Sequence, residues 1–207
     1  MITSQLIDPK SIVVVGASND VTKPGGKILK NLIDNHFKGE LYAVNPKETV
    51  IQGINCHASV SELPQVDLAI LAIAARFCPE TVEILASQKN TRAFIILSAG
   101  FHEESEAGAL LEDQVVETMN IYEASLIGPN CIGMMNVNHT SVFTTPIPRL
   151  DPRGVDFISG SGATAVFIME ASIPKGLPFN SVYSVGNSAQ IGVEDVLQYL
   201  DETYIDG

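Results

Sequence analysis

The chain has 207 residues, 45% of them hydrophobic, and a formal net charge of −12. That length holds one large domain, or one domain and part of another, with an apolar core that needs no disulfide or metal staples. The acidic balance argues against a nucleic-acid surface or an anionic membrane, and no apolar run approaches the roughly 20 residues of a membrane span. The start, Met1-Ile2-Thr3-Ser4, lacks the basic-then-apolar layout of a signal peptide. Cys56, Cys78 and Cys131 have no CxxC or zinc spacing, which points to reduced thiols in a cytoplasmic protein.

Strand and helix patterns alternate along the chain, the signature of an α/β protein with a parallel sheet. The first apolar run, Ile12–Val15, stops at Gly16-Ala17-Ser18 and passes through Lys23-Pro24-Gly25-Gly26-Lys27 into a helix expected over Gly26–Asn35. A strand, a glycine loop and a helix start form a seat for phosphate, although these glycines depart from the G-x-G-x-x-G spacing. The second strand, Leu41–Val44, closes with Asn45-Pro46-Lys47. An NAD site carries an acidic residue about 20 residues past the glycines to hold the ribose hydroxyls. An amide and a cation stand there instead, so the expected ligand is a nucleotide with extra phosphate on its ribose. Residues 1–47 carry six lysines against four acids, a locally basic stretch on an acidic protein.

Further strands are expected at Leu68–Ile73, Ala93–Leu97 and Ser125–Ile127, with helices over Pro79–Gln88 and Ser105–Met119. Each strand empties into small residues: Ala74-Ala75-Arg76, Ser98-Ala99-Gly100 and Gly128-Pro129-Asn130. Five such loops along one edge make a shelf for an extended ligand. Cys131 follows the last of them without a neighbouring base and reads as a packing residue. The four histidines, His36, His57, His102 and His139, show no metal spacing, and no metal site is expected. Glu103, Glu104 and Glu106 read as caps of a helix start, and His102 as a surface-loop residue.

The proline-rich stretch from Thr144 to Pro152 has no periodicity and marks a junction between a first unit at 1–146 and a second at 147–207. Beyond it come a strand at Val155–Ile158, a helix over Gly162–Ser172, a strand at Val182–Val185 and a helix over Val193–Leu200. Ser159-Gly160-Ser161-Gly162 opens the first of these helices, whose free amides and dipole favour a phosphoryl group. The same serine also fits an ordinary helix cap. The helix is almost wholly apolar and is expected to be buried along its length.

Taken in order, Val15-Gly16-Ala17-Ser18, Asn45-Pro46-Lys47, Ser98-Ala99-Gly100-Phe101, Gly128-Pro129-Asn130-Cys131-Ile132-Gly133, Ser159-Gly160-Ser161-Gly162 and Ser184-Val185-Gly186-Asn187 resemble the N-terminal part of ADP-forming acyl-CoA synthetases, relatives of the succinyl-CoA synthetase alpha subunit. The resemblance implies a Rossmann-like CoA-binding unit followed by the start of a flavodoxin-like ligase unit. It places coenzyme A (CoA) against Gly16, Ser18, Lys23, Pro24, Gly25, Gly26, Asn45 and Lys47. The path to its thiol then runs past Ala74, Ala75, Ser98, Gly100 and Asn130. It implies that acid, CoA and ATP are interconverted with acyl-CoA, ADP and phosphate through an acyl phosphate and a phosphohistidine, with Ser161 and Gly162 starting the helix that stabilises the latter. None of the four histidines has the phosphorylated motif's context, so the chain reads as an N-terminal fragment, inactive alone. ATP or ADP and Mg then belong to an ATP-grasp domain or subunit outside it, which pairs with it in an oligomeric full-length enzyme acting on a small carboxylic acid. Two other readings stay open: a non-catalytic CoA-binding regulatory module, as in acetyltransferase fusions, and an NADP-dependent oxidoreductase.

Overall fold

The computed structural model describes residues 2–203. Helix α1 (Ser4–Ile7) precedes β1 (Ser11–Val15), α2 (Pro24–Asp34), β2 (Glu40–Val44), the hairpin β3 (Val50–Ile51) and β4 (Ile54–His57), and β5 (Leu68–Leu71). Next come α3 (Cys78–Gln88), β6 (Ala93–Ile96), α4 (Glu106–Ile121) and β7 (Ser125–Ile127). The chain continues through β8 (Gly133–Asn136), β9 (Thr140–Val142), β10 (Leu150–Ser159), α5 (Gly162–Ser172), β11 (Phe179–Ser184) and α6 (Val193–Thr203).

The expected parallel strands form one sheet in the order β3-β4-β2-β1-β5-β6-β7, parallel at every pairing except β3–β4. Alternate residues of each strand face opposite ways. Ile12, Val14 and Ile70 pack with Ile28, Leu29 and Leu32 of α2. Val13, Val15, Leu71 and Phe94 pack with Val82 and Leu85 of α3 and Val115 and Met119 of α4. Both faces are covered, which is why these strands read as unbroken apolar runs. β2 and β5 flank β1, so the order reverses at β1 and the loops leaving these three strands diverge into a crevice.

A second sheet has the order β10-β11-β8-β9, parallel at β10–β11 and antiparallel at β11–β8 and β8–β9. Its strands β8 and β9 precede the proline-rich stretch, so residues 133–142 join a sheet whose other strands follow residue 149. Pro152 falls at the start of β10, where the pairing register shifts between Leu150 and Asp156 and a missing backbone N–H breaks no regular ladder. One face of this sheet, with Met135, Phe179 and Val182, packs under Ala165 and Met169 of α5. Its other face, with Met134 and Tyr183, merges with the α2 side of the first core. Polar bonds stitch the seam: Asn31 of α2 donates to Val142 O at 2.6 Å and Thr144 O at 2.9 Å. Asn136 donates to Ile7 O at 2.9 Å, and the buried His139 ring bonds Leu6 O at 2.9 Å and Ser141 Oγ at 2.7 Å.

Two hairpins go unforeseen and one expectation changes. The hairpins at 50–57 and 133–142 are too short, at two to four residues per strand, to show a period. Helix α5 is not buried along its length: Ala165 and Met169 face the sheet, while Phe167 stands 69% exposed on the opposite side.

Candidate functional site

The loop from β1 into α2 is folded so tightly that only glycine fits at its contact points. Gly16 has φ +84°, and a Cβ there would lie 2.4 Å from Ala72 O. A Cβ on Gly25 would lie 2.1 Å from Gly16 O, and one on Gly26 2.1 Å from Asp20 O. These approaches set the first turn of α2 directly against the end of β1. Pro24 begins the helix after Lys23, which makes no side-chain cap bond. No acidic residue stands in that first turn; the nearest carboxylate, Asp20, precedes the helix and lies 4.0 Å from the Lys23 ammonium.

The loop is braced from the side by the β3–β4 hairpin, which sequence reading missed. Gln52, in its turn at φ +50°, donates through Nε2 to Ser18 O at 2.9 Å and Gly26 O at 2.8 Å. Its backbone N–H donates to Asn19 Oδ1 at 2.9 Å. The dipeptide Gln52-Gly53 between Ile51 and Ile54 was the available hairpin signal. Ser18 Oγ accepts from the Asp20 amide at 3.0 Å, a bond internal to the loop. Asp20 accepts from the Thr22 hydroxyl and amide, and these bonds, with lesser help from the Lys23 ammonium, hold its carboxyl below the usual range.

Asn45 serves the frame as well. Its amide donates to Ala17 O at 2.8 Å and its Oδ1 accepts from the Lys47 N–H at 2.9 Å, fastening the β2 end to the glycine loop. That geometry leaves the exposed Lys47 ammonium as the projecting group, in no ion pair among the described residues.

The edge continues past β5 and β6. A Cβ on Gly100 (φ +107°) would lie 3.1 Å from the Ala75 Cβ, so these small residues keep the two strand-end loops close, with Ala74 exposed beside them. The Ser98 hydroxyl donates to Ile73 O, and its carbonyl accepts from the Asn130 N–H at 2.9 Å. Asn130, at φ +55°, is where this edge meets the second unit.

There Asn130, Ile132, Phe143, Ser161, Gly162 and Asn187 line a cleft of about 500 Å³ that has no charged side chain in its walls among the described residues. Ser161 caps α5, its Oγ accepting from the Thr164 N–H at 3.3 Å, so the cap role is real. The Ser159 hydroxyl donates to Ser161 O at 2.9 Å. Ser161, Gly162 and Ala163 nevertheless border the opening. Cys131, in the same wall, is buried, which pushes its thiol up to about 12, and it donates to Ile96 O at 3.3 Å. It packs and is no nucleophile.

A polar cluster that sequence reading did not assemble stands beside this cleft. Asn187 Nδ2 lies 2.5 Å from Glu103 Oε2 and 2.9 Å from Glu112 Oε2, while its Oδ1 accepts from Asn130 Nδ2 at 3.3 Å. Glu112 is buried on α4, 2.5 Å from His102 Nδ1 through its other oxygen. Burial raises the Glu103 carboxyl, but bonds from Asn187 and from the amides of Gly100 and Phe101 outweigh it and leave its pKa below the ordinary value. His102, Glu103 and Glu112 are thus tied to one another and to Asn187, and every carboxylate oxygen among them already has a donor. Asn187 appeared in the Ser184–Asn187 motif without a role. Glu112 lies 75 residues away on a mixed helix, with no local sign of its partner.

The chain is similar to known proteins over nearly its whole length. The alpha subunit of acetate--CoA ligase [ADP-forming] II from Pyrococcus furiosus is 38% identical over 200 residues, 96% of this chain and 43% of that subunit. Acetate--CoA ligase [ADP-forming] I from Archaeoglobus fulgidus is 39% identical over 197 residues, 95% of this chain and 28% of that protein. The chain therefore spans less than half the length of these relatives. Among solved structures, one from Pyrococcus horikoshii superposes with a TM-score of 0.88 at 36% identity, covering 97% of this chain and 46% of that one. The dinucleotide forming acetyl-coenzyme A synthetase 1 of Ca. Korarchaeum cryptofilum, in complex with phosphate and ADP, gives 0.86 at 28% identity, covering 96% and 42%. A succinyl-CoA ligase like flavodoxin domain model matches residues 152–204. The CoA binding domain model matches residues 10–137, which hold the whole first sheet, its glycine loop and the Asn45–Lys47 turn, and on that match the chain belongs to the CoA binding domain family.

Proposed function

We propose that this chain binds CoA along the carboxyl edge of its first sheet and works as part of an ADP-forming acid–thiol ligase. One observation carries the reading. At the end of β2, where an NAD site needs a carboxylate, Asn45 is committed to the frame and Lys47 projects an unpaired ammonium beside an uncapped, glycine-packed helix start. Gly16, Lys23, Pro24, Gly25, Gly26 and Lys47 surround the nucleotide phosphates, with Ser18 and Asn45 holding the loops in place. Ala74, Ala75, Ser98 and Gly100 line the thiol arm's path, and Asn130 hands it to the cleft at Ser161 and Gly162. Residues 1–146 then carry the CoA seat and 147–207 begin the ligase unit, with the β8–β9 hairpin lent by the former to the sheet of the latter.

Charge-assisted phosphate bonds contribute about 1.5–3 kcal/mol, less where solvent screens them. Lys47→Ala should therefore weaken CoA about tenfold and leave dephospho-CoA nearly unchanged in calorimetry. Equal losses for the two ligands would remove Lys47 from the ribose phosphate, and binding of NADP in preference to CoA would overturn the reading.

The cleft suits an acyl phosphate: amides at a helix start face a wall of Ile132 and Phe143, where donors act with little solvent reorganisation. None of His36, His57, His102 and His139 lines the cleft. His139 is buried in the seam, and His102 is bound to Glu112. By itself the chain should form no acyl-CoA from a small carboxylic acid, ATP and CoA, the nucleotide chemistry belonging to an ATP-grasp partner. Product above a boiled control would refute this.

A further inference from the structure

We propose that Glu112 is a positioning residue which, together with Glu103, fixes the direction of the Asn187–Asn130 amide pair so that Asn130 presents an N–H to an acyl phosphate in the cleft. The inference rests on the reading of that cleft as an acyl phosphate site, and it adds the residues that set the cleft's polarity.

No cation lines the cleft, so an anion there is held by dipoles, and their direction decides between attraction and repulsion. A side-chain amide is ambivalent, with a carbonyl on one branch and an NH2 on the other. Ionised carboxylates remove the ambiguity because they only accept. Glu103 Oε2 and Glu112 Oε2 both lie against Asn187 Nδ2, at 2.5 and 2.9 Å. The Asn187 NH2 therefore faces α4, and its carbonyl turns to Asn130 Nδ2 at 3.3 Å. Asn130 spends one hydrogen on that carbonyl and keeps the other for the cleft.

Neither carboxylate is free to turn away. Glu103 Oε1 accepts from the Gly100 and Phe101 amides at 2.7 and 3.2 Å, and Glu112 Oε1 is held 2.5 Å from His102 Nδ1. Asn130 itself is pinned through its backbone N–H to Ser98 O at 2.9 Å. Every anchor lies in the segment 98–103, on the expected route of the CoA thiol arm. The device therefore ties the cleft's donor to the loop that the second substrate touches.

The experiment measures acetyl phosphate and CoA binding by calorimetry on the 207-residue chain. Glu112→Gln leaves Glu103 as the one carboxylate accepting from Asn187 and gives that amide a second partner that can donate, which loosens the pair. It should raise the acetyl phosphate dissociation constant several-fold while CoA affinity stays within about twofold. Asn187→Ala should cost about the same, and the double variant no more than the worse single one, because both changes break one linkage. Retained CoA binding establishes that each variant is folded; if Glu112→Gln does not fold, Asn187→Ala alone decides. Unchanged acetyl phosphate affinity in the variants, or losses that add in the double variant, would overturn the role of Glu112 and leave the cleft assignment standing. A wild-type chain that binds CoA but not acetyl phosphate would overturn the cleft assignment and this inference together.

Discussion

The two strand-end regions use small residues for different purposes. At the first sheet, glycines let backbone touch backbone: Gly25 and Gly26 would each place a Cβ 2.1 Å from a carbonyl oxygen. The lysines beside them, Lys23 in the loop and Lys47 after β2, are exposed to solvent. At the second sheet, Gly160 has open space around its Cβ position, and the neighbouring cleft has neutral donors and apolar walls. The first region presents ammonium groups beside a tightly packed loop, the second neutral donors beside apolar walls. Steric need is nevertheless local to particular glycines, since a Cβ on Gly162 would lie 2.7 Å from Ile132 Cγ2 and one on Gly186 2.2 Å from Pro129 O, while Gly160 in the same cleft wall meets nothing.

The strongest way to break the contrast is a matched pair of substitutions. Gly25→Ala should cost about 3 kcal/mol or more of stability and abolish CoA binding, because the clash is with backbone that cannot step aside. Gly160→Ala should stay within about 0.5 kcal/mol and keep CoA affinity, since nothing lies within 4 Å of the added carbon. Urea denaturation with calorimetry reads both, and equal costs would erase the distinction.

Acid should loosen the seam between the two sheets. Burial lowers the His139 pKa from 6.5 to about 4, so the folded protein keeps the ring neutral while the unfolded chain protonates it. The stabilisation is complete above pH 6.5 and is lost as pH falls towards 4, by roughly 3 kcal/mol. Urea midpoints between pH 7 and 4 should show this slope, and His139→Gln should flatten it. An unchanged slope in the variant would clear His139. The smallest effect sharpens the comparison of ligand seats. Raising salt from about 0.05 to 0.5 M should weaken CoA several-fold through the exposed lysines, and acetyl phosphate in the cleft less than twofold. Equal sensitivity would mean that cations serve both sites.

Much of the first sheet was legible because burial on both faces writes itself as continuous apolar runs, as at Leu68–Leu71 and Ala93–Ile96. The placing of the glycine loop between β1 and α2, and of the Asn45–Lys47 turn after β2, was legible too, since strand-loop-helix order is a local fact. The hairpin strands were not, because Met134-Met135 between Gly133 and Asn136 carries no period. Nor could an apolar helix announce which side is covered, and Phe167 is left outward on α5. The Asn187 cluster is illegible for a deeper reason. Its members come from the loop after β6, from α4, from the loop after β7 and from the turn after β11, and only the tertiary fold makes them neighbours.

The lent hairpin has a consequence for how the molecule comes apart. β8 pairs with β11 from Gly133↔Ser184 to Asn136↔Ser181, while its other side is taken by β9. Production of residues 1–146 alone would strip β11 away and open one rim of β8, a row of amide and carbonyl groups beside Met134 and Met135. Such a rim is a template for foreign strands, so the isolated first unit should be adhesive. The boundary that is easy to draw along the chain is a poor place to cut it, because the two units share a selvedge woven from both.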